Sequence, residues 1–239
     1  MNNSKILYVF GASESLSHLH TLTPQTTYWG LAATALNCDE IINYSSAGQC
    51  FDNIIHMLLN EEFNQNAYFL IGVPPIVRRS VFKNDNSKYS VFKFNKNFDL
   101  TMVEVDSMTS VSVSTVAETS EFRNVAYFSN EWNQVSYMEK ILLLHSHLKY
   151  QGHKFIIANS GPPFLYQDQW PQGKNVTKKI ADLPELIMFS DTLMFVNQLD
   201  NIKPVDFEKY SWVGHHGPIG HKNYYDKSLS QKMKQLNWI

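Results

Sequence analysis

Three short segments carry the residue types of nucleophilic chemistry. Gly11-Ala12-Ser13 follows an apolar run, Ile6-Leu7-Tyr8-Val9-Phe10. Ser45-Ser46-Ala47-Gly48 follows a second, Glu40 to Tyr44. Near the far end stands Gly214-His215-His216-Gly217-Pro218-Ile219-Gly220-His221. A serine hydroxyl is a poor nucleophile until a base within hydrogen-bond reach takes its proton. Histidine, with a pKa of about 6.5, is the usual base. The oxyanion formed by such an attack needs donors already in place, and backbone amides can supply them. Ser13 is therefore the candidate nucleophile, His215 the candidate base with His216 as the alternative, and the amides of Ser13 and Gly48 the candidate oxyanion donors. Each has an ordinary competitor: Ser13 as a cap, Gly48 as a tight-turn residue, the histidines as loop residues. His221 is expected to hydrogen-bond the loop or a helix start rather than to do chemistry. Arg78 and Arg79 are candidates for binding a substrate anion, against a salt-bridge role.

The elements that must position these groups read as an open α/β sheet. Ile6 to Phe10 has the form of a buried parallel strand. Thr23-Pro24 predicts a helix start, Thr23 as N-cap and Pro24 at the first helical position, running to about Asn37. Glu40 to Tyr44 predicts a second strand, followed by a helix carrying Ile54, Ile55, Leu58 and Leu59. Ala67 to Ile71 predicts a third strand, ended by Gly72 and Pro74-Pro75. This β-α-β-α-β order implies parallel strands with right-handed crossovers. Ligands of such sheets bind outside the carboxyl ends of the strands, near a switch point. That is where the Ser13 and Gly48 segments belong. Later, Glu131 to Tyr150 predicts a helix ended by Gly152, and Phe155 to Ala158 a fourth strand. Asp182 to Leu199 is expected to be partly helical, with Pro184 near its first turn, and about 219–236 to form a terminal helix. The polar stretch of about 80–130, with its alternation Val111-Ser112-Val113-Ser114, is expected to be an irregular insertion or a β-hairpin excursion. One domain over 1–239 is expected.

Composition closes off several classes. The chain has 239 residues, 44% hydrophobic and 18% charged, which suits one domain with a sizeable core and excludes disorder. No apolar run approaches the roughly 20 residues of a membrane span. With 20 basic and 22 acidic residues and no basic stripe, nucleic acid is not an expected partner. Cys38 and Cys50 make neither a disulfide framework nor a CxxC pair. No GxGxxG follows the first strand and no GxxxxGK[ST] occurs, so no nucleotide cofactor is implied. Gly11-Ala12-Ser13-Glu14-Ser15 lacks the second glycine of an α/β-hydrolase elbow and follows the wrong strand. His18 and His20 beside the His215–His216 pair lack a carboxylate or thiolate at ligand spacing, so no metal is expected. The N-terminus predicts no signal peptide, hence a cytoplasmic protein; one encoded by a phage and made inside its host has the same character.

These segments resemble blocks of the SGNH, or GDSL-like, hydrolase superfamily. Its first block is a strand ending in Gly-Asp-Ser, matched by Gly11-Ala12-Ser13. Its second block gives a glycine amide to the oxyanion hole, matched by Ser46-Ala47-Gly48. Its last block often continues as His-Pro-Gly-x-x-Gly-His, and His215-His216-Gly217-Pro218-Ile219-Gly220-His221 keeps that spacing. The likeness is greatest to divergent, phage-type members, with Trp29 early in the first helix and Arg78 and Arg79 beyond strand three. It implies a three-layer α/β/α flavodoxin-like fold and a serine ester hydrolase using Ser13 and His215, without a cofactor. The implied substrate is a small-molecule or carbohydrate O-acyl ester. Three departures stand out. Ala12 replaces the motif aspartate. Gly72-Val73-Pro74-Pro75 stands where Gly-x-Asn-Asp would supply a side-chain oxyanion donor. Trp212 or Val213 stands where the last-block acid belongs, leaving Asp206, with Glu208, as the nearest acid. An O-acyltransferase using the same pair, or a lapsed SGNH fold serving as a binding or structural module of a phage, are the alternatives.

Overall fold

β1 (Ile6–Phe10) is apolar at every position because both of its faces are covered. Ile6, Tyr8 and Phe10 enter the core on one face of the sheet, and Leu7 and Val9 the core on the other, the two-residue alternation of a strand. The structure, a computed structural model, describes residues 4–12, 15–16, 22–46, 49–65, 67–74, 88–106, 130–159, 178–187, 191–205 and 215–239.

Six further strands join β1: β2 (Glu40–Asn43), β3 (Tyr68–Val73), β4 (Lys88–Asn95), β5 (Leu100–Asp106), β6 (Lys154–Asn159) and β7 (Leu186–Ile187). Their order across the sheet is β5-β4-β2-β1-β3-β6-β7. β1 pairs in parallel with β2 and β3, β3 with β6, and β6 with β7. This parallel part has the flavodoxin-like strand order, whose switch point lies between β1 and β3. The helices are α1 (Tyr28–Leu36), α2 (Phe51–Asn60), α3 (Asn130–Tyr150), α4 (Leu193–Leu199), α5 (Pro218–Tyr224) and α6 (Ser230–Gln235), the last two joined by a π-helical turn, Tyr225–Leu229. α2 and α3 cover one face through Phe51, Ile54, Leu58, Met138, Ile141, Leu144 and Leu148. α1, α4 and the terminal helices cover the other through Trp29, Ala32, Leu36, Leu193, Leu229 and Met233. The chain is a three-layer α/β/α protein, as expected. Each fully buried large side chain in these layers stabilises the fold by roughly 1.5–3 kcal/mol relative to exposure.

Several local readings need correction. Pro24 does not open α1. Pro24–Thr26 is a separate 3₁₀ turn, and the cap of α1 is Thr27, whose hydroxyl accepts the Gly30 amide at 2.9 Å. The Thr27 hydroxyl also donates to the Pro24 carbonyl at 2.7 Å, so the turn and the helix share one residue. In the 80–130 segment the expected β-hairpin is present, and it belongs to the main sheet. β4 and β5 form a hairpin whose first strand pairs antiparallel with β2 and extends the main sheet. Phe94 of β4 lies on Trp29, ring centroids 5.4 Å apart, which explains why the hairpin docks there. Val111 to Ser114 lie outside the described residues. Within 182–199, Pro184 precedes a short fifth parallel strand, β7, and not a helix.

A buried carboxylate ties α3 to the turn before β7. Glu185 is buried and accepts hydrogen bonds from His145 Nε2 at 2.9 Å and from Lys149 Nζ. Burial raises its pKa, but the bonds from Lys149 and then His145 outweigh that and hold the carboxyl below its ordinary value. The stabilisation is therefore complete above the ordinary carboxylate pKa and is lost as pH falls through the lowered folded value. Glu185→Gln is expected to cost about 1–3 kcal/mol at neutral pH, with the gap to wild type closing in acid. Urea unfolding at a series of pH values measures it, and a gap that widened in acid would contradict the assignment.

Candidate active site

The loop leaving β1 is built around Ser15, which is 3% exposed. Its amide donates to the Ala12 carbonyl at 3.0 Å, closing the chain back on the strand end. Its carbonyl accepts the Trp29 indole at 2.9 Å and the Asn43 carboxamide at 2.8 Å. Its hydroxyl pairs with the Tyr28 hydroxyl at 2.6 Å. The same hydroxyl fills the place where a side chain at Gly11 would go: a Cβ there would sit 2.3 Å from Ser15 Oγ. Gly11 is thus required by close approach.

The end of β2 is tied to this loop. Asn43 Oδ1 accepts the Ser45 amide at 2.8 Å, and the Ser46 amide donates to the Gly11 carbonyl at 3.3 Å. Ser45 is wholly buried here, and its hydroxyl has no hydrogen-bond partner among the described residues. The carboxyl ends of β1 and β2 therefore form one connected edge.

The terminal histidine block packs against α1, which is itself bonded to that edge. Parallel crossovers put the first turn of α1 at the carboxyl end of β1. There the Tyr28 amide donates to His221 Nδ1 at 3.2 Å, and the two rings stack with centroids 5.6 Å apart and planes at 9°. His221 thus bonds the start of α1, a helix distant in sequence. The amide needs this bond, because the first turn of a helix offers no internal acceptor. The Gly220 carbonyl accepts Asn197 Nδ2 of α4 at 3.1 Å. His215 is half-buried, and its carbonyl accepts the Val205 amide at 2.7 Å. His216 is wholly buried. Ser13, Gly48, Arg78, Arg79 and Asp206 lie outside the described residues. Among the described residues no three His, Cys, Asp or Glu side chains converge as a metal site would require. No helix of the described residues is long and apolar enough to cross a membrane.

Sequence reasoning passed over Ser15, Tyr28 and Asn43. Asn43 ends an apolar run, and a buried amide at a strand end is a usable signal. Ser15 and Tyr28 carry no mark in the sequence that sets them apart from their neighbours.

No protein-family model matches the chain, and no curated protein matches it by sequence. Among solved structures it is similar to an acetyl xylan esterase (Est2A) from the rumen bacterium Butyrivibrio proteoclasticus, with a TM-score of 0.43 and 12% identity. The match covers 99% of this chain and 64% of that one, so the chain spans less than two thirds of the esterase's length. The α/β/α assignment rests on the strand order and layers described above.

The histidine block also sets a pH dependence. Burial, chiefly, and the neighbouring His216 push His221 from 6.5 down to about 3, against a smaller opposing effect of the His216 backbone carbonyl. The unfolded chain binds this proton below 6.5 while the folded chain refuses it until about 3, so stability falls with pH across that window. One such proton contributes about 1.4 kcal/mol per pH unit. His221→Asn is expected to flatten the stability–pH curve by that slope between those limits. Equal slopes for wild type and variant in chemical denaturation would contradict a buried neutral His221.

Proposed function

We propose that the chain is a serine ester hydrolase of the SGNH type. Ser13 Oγ attacks the acyl carbonyl and passes its proton to His215, which returns it to the leaving alcohol. Water then attacks the acyl-enzyme by the same route, freeing the acid and restoring Ser13. The amides of Ser13 and Gly48 serve the oxyanion, and Asp206 orients the histidine. The observation that supports this reading most is the link from the histidine block to the loop after β1, in which His221 holds Tyr28 and Tyr28 holds Ser15. Support for Asp206 comes from its chain neighbour Val205, whose amide holds the His215 carbonyl. His215 is preferred to His216 as base because it keeps exposure that a proton-transferring group needs. The substrate is an O-acyl ester, with a carbohydrate ester the favoured kind, and Arg78 and Arg79 contribute remote contacts. The phage-type affiliation rests on the sequence motifs. A module without turnover is the second reading, favoured by Trp212 and Val213 standing where the acid belongs; acyl transfer to a sugar hydroxyl at the same site is the third.

A fluorophosphonate probe is expected to label wild type and not Ser13→Ala. His215→Ala is expected to lose on the order of 10²–10⁴ in rate while keeping its circular dichroism. An inactive His216→Ala beside an active His215→Ala would move the base by one residue. Small activated esters are expected to turn over slowly, since one missing oxyanion donor costs roughly 10²–10³. Absence of both labelling and turnover on a panel of acetylated sugars and nitrophenyl esters would favour the module.

A further inference from the structure

Tyr28 joins the two halves of the proposed site through three separate contacts. Its amide donates to His221 Nδ1 at 3.2 Å, its ring stacks on the His221 ring at 5.6 Å, and its hydroxyl meets Ser15 Oγ at 2.6 Å. We propose that Tyr28 is a positioning residue, setting the loop after β1 against the terminal histidine block and so the approach of Ser13 to His215. The inference rests on the hydrolase reading above.

The hydroxyl pair is what separates this role from ordinary core packing. Tyr28 and Ser15 are both buried, and the core contacts of Tyr28 need only its ring: it packs edge-on against Tyr224 at 5.4 Å and face-on against His221. Two buried hydroxyls that satisfy each other add little net stability over apolar groups of the same shape. What they add is direction. The Ser15 hydroxyl is held between Tyr28 and the open face of Gly11, two residues along the chain from Ser13. His221 supports the other end. Buried and neutral, its Nδ1 keeps a lone pair for the Tyr28 amide. A displacement of about 1 Å in a reacting group costs on the order of 10² in rate, so a loop released here would slow attack without unfolding the protein.

The test is a cycle of Tyr28→Phe, Ser15→Ala and the double variant, each assayed for thermal midpoint, for fluorophosphonate labelling mapped to Ser13, and for kcat and KM on nitrophenyl acetate. Each variant is expected to label about tenfold to a hundredfold more slowly, with kcat reduced, KM unchanged and the double variant no slower than either single one. Should Tyr28→Phe fail to fold, Ser15→Ala carries the same comparison. Labelling of Tyr28→Phe or Ser15→Ala at the wild-type rate, or losses that multiply in the double variant, would overturn the positioning role alone. Wild type left unlabelled at Ser13 would overturn the hydrolase reading beneath it.

Discussion

The path of the chain beyond β1 is fixed by one backbone carbonyl. Ser15 C=O accepts the Trp29 indole and the Asn43 carboxamide, at 2.9 and 2.8 Å. Both donors sit on residues shut away from water. A buried donor left unpaired costs about 1–3 kcal/mol, so neither can be abandoned cheaply. A carbonyl has two lone pairs, enough for both. α1 and β2, the next helix and strand after β1, are thereby tied to the same point of the same loop. Asn43 spends its other end on the Ser45 amide, so one side chain also sets where β2 turns away.

Much of this frame was legible from residue types. The apolar runs at 6–10, 40–44, 67–71 and 155–158 became strands because a parallel strand is covered on both faces and has no polar side to display. Gly152, in the left-handed region at φ 73°, ended α3 as expected. β7 escaped notice for a physical reason. Two residues, Leu186 and Ile187, pair with β6, too few to make a periodic pattern, and Pro184 just before them reads as a helix start. The hairpin of β4 and β5 looked like an excursion because its strands are mixed in polarity. β5 is an edge strand with Leu100 and Met102 largely exposed, so burial did not shape its sequence. Thr23 and Thr27 are equally good caps by type, and each does cap a helical turn, Thr23 the 3₁₀ turn and Thr27, through the Gly30 amide, α1.

The candidate site was legible as motif and illegible as connection. Glycine at 220 was noticed for its spacing. Its physical reason is a neighbour far away in sequence: a Cβ there would lie 2.8 Å from Asn197 Nδ2 and 2.8 Å from His216 Cβ. Asn197 belongs to no motif, yet it is buried, holds the Gly220 carbonyl and accepts from Asn223. Asp200, at the end of the same helix α4, takes Asn223 and Lys227. The terminal helix is therefore located by polar groups of α4 that hydrophobic periodicity does not reveal.

The seven residues from His215 to His221 show how burial gives one residue type different surroundings. His215 remains half-buried, while His216 and His221 lie wholly inside. An imidazole kept from water resists charging, and His221 stays neutral down to about pH 3. Its ring can then serve as a fixed acceptor for the Tyr28 amide throughout the range in which an exposed histidine gains and loses its proton. The outer end of the segment, at His215, stays partly open to solvent, while the buried, neutral His221 keeps the segment joined to α1.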